Sequence, residues 1–570
     1  MSALLELYST TNASPLLAAA DQISTELLAA VPERHVARAT VLRIRGTVEL
    51  RLGDAEKAMQ LLEASARTPD VLPRRLRAAR HAAYEAGRAG EWQRAAAMLA
   101  DAVSLLPQLA SRHLTRLDQE RLLAGCVGLA REACAYAIQA GDPVAALLVL
   151  EHGRGILLRQ LLEDRDDLSE LRRVRPDLAA RIDACRAVFA SADPASRDAV
   201  HAAAEEWERV EAELRELPGF GGVFAGPDFA ELRAAAADGP VVVVNVAALR
   251  TDALVLTGEG VEVVELSEAG AAVAQEWFRT LITTVQDGRG ELVPDVLAWL
   301  WDAIAQPVLD RLGLGPHQEG KPWPRIWWSP TGPLVFLPLA HAGRHGTDGE
   351  AVMDRVVSSN TPSVRALIRA RSRPVASGES RLAVIAVSEP PEFDPLPAAR
   401  REVDRVVAQA SSPPTVLINS ARAEVMEALA THERIHLVCH VDQSVRMPTA
   451  ACLVLADHEE NPLTLRDIAQ LDLEHAELAY LSACASGRGG IALTEEAIDL
   501  AAAFQAAGYR HVVATLWPIG DAAACAFSGA VYGVIKAEGV DGTAQAVHRT
   551  ARALRKKPPI MWAAFLHTGP

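Results

Sequence analysis

The 570-residue chain is half apolar and carries a formal charge of −16 at pH 7. A length of this order exceeds what one hydrophobic core supports, so two or more domains are expected. The acidic balance argues against direct binding to nucleic acid, which needs a concentrated lysine and arginine surface.

The first residues, "MSALLELYSTTNAS", have no basic region ahead of an apolar stretch, and Glu6 interrupts the apolar run, so they make a poor secretory leader. From about residue 14 to 216 the sequence is rich in Ala, Leu, Arg and Glu with helical periodicity, which predicts an all-α region. Three stretches in it, 42–65, 78–103 and 130–153, are alike. Each has a helix ending at a glycine before an acidic residue (Gly53-Asp54, Gly90-Glu91, Gly141-Asp142), then a second helix carrying Ala58, Ala95 or Ala145. Glycine supplies the helix stop, and alanine lets paired helices approach. The pattern resembles tetratricopeptide repeats of irregular spacing, with a plain helical bundle as the alternative; either offers a surface for a protein partner.

A glycine-rich break, "LPGFGGVFAGPDF", follows at 217–229. Beyond it, apolar runs such as "VVVVNVAAL", "RIWW", "LAVIAV", "RIHLVC", "ELAYLS" and "HVVATL" alternate with helical stretches, as expected of a mostly parallel sheet covered on both faces. "VPDVLAWLWDAIAQPVL" is the run nearest to bilayer length, but Asp295, Asp302 and Gln306 interrupt it at helical spacing, so it reads as a buried helix and no membrane span is expected. Segments 342–350 and 372–381 read as flexible inserts because Gly, Ser and Pro cluster there. Seven cysteines without any C-x-x-C pair do not suggest a disulfide framework, which suits a cytoplasmic protein.

Two predicted strands end on reactive residues: "RIHLVCH" on His440 and "AELAYLSAC" on Cys484. As parallel neighbours their carboxyl ends would lie together, at the end of a parallel sheet where chemistry sits. A cysteine nucleophile needs that geometry, because an imidazole promotes the thiolate and later protonates the leaving amine. Taken singly, such a histidine is usually a rim residue and such a cysteine inert packing. Zinc binding by His436, Cys439 and His440 fails, since alternation along a strand sends 439 to the face opposite 436 and 440. Thr494 with Glu495 and Glu496 reads as a helix cap, or as part of the substrate cleft.

"HLVCHVDQS", "LTLRDIAQLDLEHAELAYLSACASG", "AAAFQAAGYRHVVATLWPIGD" and "MWAAFLHTG", with "RIWWSPTGPLVFLPLAHAG" and "LPAARREV" before them, resemble the CHAT domain. This is a caspase-like peptidase domain of the clan that also holds separase and the gingipains. The resemblance implies His440 as catalytic histidine, Cys484 as nucleophile, no cofactor, and an oxyanion hole of main-chain N–H groups at Cys484 and at the residue after the histidine. Glycine usually follows that histidine; here Val441 does, and its β-branch confines it to an extended backbone unless the loop is strained. Ala451, Ala485 and Ser486 also depart from the family's common residues. The pocket for the residue preceding the cut bond is implied near Trp517 and Asp521. Asp521 would favour lysine or arginine there, or instead cap the helix that follows.

The resulting expectation is an α + α/β protein: a helical, tetratricopeptide-like domain at 1–216, a linker at 217–229, and a caspase-like CHAT peptidase domain with a mostly parallel sheet at 230–570. It is expected to act as a bacterial-type cysteine endopeptidase on a protein substrate, under control of a protein bound to the helical repeats. The alternative is an inactive caspase-fold scaffold or sensor.

Overall fold

The computed structural model describes residues 14–33, 35, 37–68, 71–163, 168–190, 197–217, 227–287, 289–374, 380–442, 451–485 and 500–570. The chain divides into two compact units, Met1–Ile156 and Leu157–Pro570. This boundary precedes the change of sequence texture near 216. Texture reports secondary structure, whereas compactness reports packing. The helices between the two positions belong to the second unit, where Leu158 packs against residues of the sheet core.

In the first unit, helices α1 (Arg38–Leu52), α2 (Ala55–Arg67), α3 (Leu72–Arg88), α4 (Trp92–Val103), α5 (Leu129–Gln139) and α6 (Pro143–Gly153) pack on their neighbours in sequence. Gly53, Gly90 and Gly141 all have φ between 83° and 94°, a left-handed conformation that closes each helix at little cost for glycine. The acidic residue that follows opens the next helix in two of the three cases: Asp54 accepts from the Lys57 N–H and Asp142 from the Ala145 N–H, at 3.1 and 2.9 Å. Ala58 and Ala95 are fully buried between helices. The third alanine differs, since Ala145 is half-buried and Ala146 takes the buried position. Replacing Asp142 with Ala orphans a helix N-terminal N–H, so chemical unfolding of the first unit should show a loss of about 1 kcal/mol. An unchanged midpoint would mean that solvent serves the helix end equally well.

The second unit is built on one sheet of 13 strands among the described residues: β1 (Val241–Val246), β2 (Thr251–Leu256), β3 (Val261–Glu265), β4 (Arg325–Pro330), β5 (Val357–Asn360), β6 (Leu382–Ala386), β7 (Thr415–Ile418), β8 (Arg434–Asp442), β9 (Cys452–Val454), β10 (Leu463–Thr464), β11 (Leu478–Ala485), β12 (His511–Thr515) and β13 (Phe565–Thr568). The strands β7, β6, β8, β11 and β12 run parallel to one another, as do β13, β5, β4 and β1. The two sets meet at the antiparallel pair β12–β13, and β2 and β3 extend the far edge antiparallel. On one edge, β8 pairs with β6 over residues 434–438 and then with antiparallel β9 over 440–442. The sheet is therefore mostly parallel, and helices precede it in the chain.

Apolar clusters cover both faces, which is why the strands read as near-continuous apolar runs. One holds Val384, Val438, Tyr480, Val513, Trp328 and Trp562; the other holds Ile385, Leu437, Leu481, Phe504, Tyr509 and Val512. The apolar run at 293–311 is a buried helix with a π turn at Trp301–Ala305, and Val293, Val296, Leu300, Ile304 and Val308 have no exposed surface. Among the described residues, no helix is long and apolar enough to cross a membrane. The segment 342–350 is not a loose insert. A bridge pairs Gly343 with Ala351, Arg344 and Glu350 share a 2.7 Å backbone bond, and Arg555 donates to the carbonyls of His345 and Thr347. Its Gly content serves a tight turn; at Gly343 a Cβ would lie 2.3 Å from that of Ala351. Within 372–381, residues 375–379 fall outside the described residues.

Histidines packed around the tryptophans of this unit give its stability a pH dependence. Burial pushes the His341 and His345 imidazoles down to about 4, and His548 down to about 3. In an unfolded chain these groups titrate near 6.5. The unfolded state therefore binds protons first as pH falls, so the contribution of the neutral histidines is full above about 6.5 and is lost progressively towards about 4. The unfolding midpoint of the second unit should fall between pH 7 and pH 5. A flat profile over that range would show that these rings are hydrated.

Candidate functional site

Strand β8 alternates its residues between the two clusters. Ile435, Leu437, Cys439 and Val441 pack on one face, while His436, Val438 and His440 belong to the other. The parallel neighbour β11 is in unbroken register with it: Tyr480 pairs with His436, Ser482 with Val438, and Cys484 with His440. Directly paired residues of parallel strands share a face, so positions 440 and 484 stand side by side at the carboxyl ends of adjacent central strands. Adjacent strands lie about 4.8 Å apart. On its other edge, β11 shifts register against β12 between Tyr480 and Cys484, so that Cys484 pairs with Thr515. Irregularities of this kind often accompany a re-aimed side chain. The side chain of Cys484 lies outside the described residues.

His440 is half-buried, and its Nε2 lies 2.8 Å from the main-chain carbonyl of Asp394. A carbonyl only accepts, so this bond places the proton on Nε2 and leaves Nδ1 of the neutral ring as the basic nitrogen. Phe393 stacks on the same imidazole, with centroids 5.7 Å apart and planes 26° apart. Both residues come from the loop after β6. Glu392, just before them, has φ 58°, a left-handed conformation costly for a non-glycine residue and typical of functional loops. Asn419, also left-handed, anchors this loop by accepting the Ser388 N–H at 2.9 Å. Phe393, Asp394 and Asn419 were missed in the sequence. The available signal was their place at the carboxyl ends of two parallel strands.

Below the pair, on the same face, lies a buried polar layer. Ser482 donates to Glu402 Oε2 at 3.1 Å from helix α7 (Ala399–Gln409). Glu402 Oε1 lies 3.3 Å from His436 Nε2 but off the line of a hydrogen bond. His436 has no exposed surface; it stacks on Tyr480 and meets Tyr532 edge-on. Burial, and after it the charge of Glu402, pushes the Tyr480 phenol well above its ordinary value.

Of the other residues singled out, Cys439 packs in the cluster on the opposite face from Val438. Val441 is extended within β8, its side chain buried, and it pairs with Leu453 on one edge and Ala485 on the other. Its N–H therefore lies in the sheet between two paired strands rather than in a free loop. Trp517 is 2% exposed and donates its indole N–H to the Ile560 carbonyl at 3.0 Å, so the ring serves the core. Asp521 is the first residue of helix α8 (Asp521–Glu538), and Gly520 occupies the capping position; the Asp521 side chain lies outside the described residues. Ala451 is buried, while Ser486 and Thr494–Glu496 also lie outside the described residues. A small cleft of about 30 Å³ adjoins His440. Leu396, Thr515 and Ile519 line it; Trp517 is not among its described lining residues.

With this geometry established, residues 294–570 match the family model described as CHAT domain. No curated protein matches the chain. Two crystal structures of the Saccharomyces cerevisiae separase–securin complex resemble it at 9% and 10% identity, with TM-scores of 0.41 and 0.39. They cover 93% and 94% of this chain and 50% and 49% of theirs, so the chain spans about half the length of each. The complex of the pro- and mature domains of RgpB from Porphyromonas gingivalis resembles it at 12% identity and TM-score 0.32, covering 47% of this chain and 68% of that one.

Proposed function

We propose, from the match of residues 294–570 to the family model described as CHAT domain, that the protein is a cysteine endopeptidase acting on a protein substrate. The observation that carries this reading is the in-register pairing of His440 with Cys484 at the carboxyl ends of two parallel strands. In the proposed reaction the Cys484 thiol gives its proton to His440 Nδ1, and the thiolate adds to the scissile carbonyl. The tetrahedral oxyanion collapses to a thioester as the C–N bond breaks, and His440 returns the proton to the departing amine. Water, deprotonated by the same ring, then cleaves the thioester. The Asp394 carbonyl and the Phe393 ring hold the imidazole in one tautomer and orientation throughout. The oxyanion donors would be the N–H groups of Cys484 and Val441; both positions are paired on two edges, so each can donate only where the strand pairing opens at the carboxyl ends. The proposal includes a protein recruiter or activator on the helical unit, and residence in the cytoplasm.

One observation favours a second reading, an interaction scaffold that does not cut: Val441 and Cys484 are each paired on both edges where free N–H groups are needed. Labelling of new protein N-termini distinguishes the two, with full-length protein incubated with a cell extract and compared with Cys484→Ala. New termini that vanish with Cys484 support the peptidase. Identical termini in both samples, together with unchanged partner capture, support the scaffold.

A further inference from the structure

Helix α3 carries five arginines, Arg74, Arg75, Arg77, Arg80 and Arg88, against one acidic residue, Glu85. Its apolar face, with Leu76, Ala79, Ala83 and Ala86, is buried. The opposite face is exposed at Arg74, Arg77, His81, Tyr84 and Arg88, whose alternating spacing of three and four residues puts them in one file along the helix. Like charges at these spacings repel, so the file weakens the helix that carries it. Little on the protein relieves it. Arg77 donates to the Pro73 carbonyl of its own helix at 3.2 Å, and Arg88 comes no closer to Glu85 than 3.8 Å. On the adjacent α1, half-buried Arg43 makes no ion pair among the described residues. Burial first, and after it the charges of Arg43, Arg80 and Arg77, hold the His81 imidazole below its ordinary value against the opposing pull of Glu85, so positive charge outweighs negative here. Tyr84, 56% exposed with the Arg88 guanidinium 6.0 Å from its ring centroid, adds an aromatic surface to the file. On a chain of formal charge −16 this is a local reversal of sign.

We propose that the exposed file on α3 is where the recruiter of the helical unit docks, and that the segment it takes is an extended, acidic stretch of a protein with carboxylates on alternate residues. The inference rests on the recruiter included in the proposed function. At 1.5 Å of rise per residue the file is about 21 Å long, and at about 3.3 Å per residue an extended segment of about six residues follows it. Its same-side carboxylates then reach Arg77 and Arg88, and an apolar side chain between them covers the Tyr84 ring. A carboxylate beside His81 also favours the protonated ring, which adds a further cation on binding. The charge of the whole chain repels a long polyanion such as nucleic acid, whereas a short acidic segment meets the file alone.

The test uses full-length protein and two fluorescein-labelled octapeptides, alternating glutamate with alanine in one and glutamine with alanine in the other, read by anisotropy at low salt. The glutamate peptide is expected to bind at least about 10-fold more tightly. Arg77→Glu with Arg88→Glu should weaken it by at least about 10-fold, since two attractions become repulsions, while the same charge change at exposed Lys556 and Lys557 should alter it by less than about 2-fold. Unfolding midpoints confirm that both variants are folded. Equal binding of the two peptides, or equal losses in the two variants, would overturn the docking face. A labelled oligouridylate of eight nucleotides that binds more tightly than the glutamate peptide, and is released by the same arginine reversal, would overturn the acidic protein segment in favour of nucleic acid. Photo-crosslinking in a cell extract separates this inference from the recruiter itself, with a crosslinking amino acid in place of Tyr84 or of exposed Gln60 or Gln93. A protein adduct at 84 that excess glutamate peptide removes is the expected result. Adducts at 60 or 93 and none at 84 would overturn the α3 face and leave the recruiter in place; adducts at none of the three would overturn both.

Discussion

Cys484→Ala and His440→Ala are each expected to lower cleavage of a protein substrate by on the order of 10³-fold or more, and the double variant to be no slower than either single one. The two residues act as a unit, because the thiolate attacks only after the ring has taken its proton and the amine leaves only after the ring returns it. Removing one leaves the other nothing to do, so the losses do not add. The pairing of position 440 with 484 in unbroken register is what makes this coupling physically reasonable. Time courses with the substrate found by N-terminal labelling measure it. Multiplicative losses in the double variant would mean that the two side chains act separately, and the proposed mechanism would be abandoned.

The largest effect on stability is expected at Trp562. Its ring has no exposed surface, donates its N–H to the Lys557 carbonyl at 3.0 Å, and meets His341 and His345 edge-on at 5.6 and 4.9 Å. Trp562→Ala removes this packing and leaves a cavity among side chains that cannot collapse far, at a cost of about 3–5 kcal/mol. That is a large share of the roughly 5–15 kcal/mol that holds a domain folded. Trp562→Phe, which refills part of the space, should lose distinctly less. Urea unfolding of the second unit reads both, and a loss under about 1 kcal/mol for the alanine variant would show that the site is far looser than its burial implies.

Both expectations draw on features that differ in how far the linear chain discloses them. The glycine–acid punctuation of the helical half was legible, because a left-handed helix stop and a carboxylate cap are decided within a few residues. The buried helix near residue 300 was legible for the same reason. The insert at 342–350 misled, since glycines that permit flexibility also permit a tight turn, and the choice depends on Arg555, which lies far along the chain. Trp517 was implied near the pocket by the family resemblance; its N–H donates to the Ile560 carbonyl and its ring is buried in the core.

Alternation along β8 and β11 was a local property: a strand sends every second residue to one face, and this alone grouped His436, Val438 and His440. Tertiary structure decided what met them. Strand register matched 440 to 484, a loop from the other side of β8 brought Phe393 and the Asp394 carbonyl onto the imidazole, and α7 set Glu402 beneath Ser482. It also extended β8 past the histidine by adding β9, which pairs Val441 with Leu453. These contacts join segments dozens of residues apart and arise from sheet pairing and helix packing, whose outcome depends on many distant side chains at once.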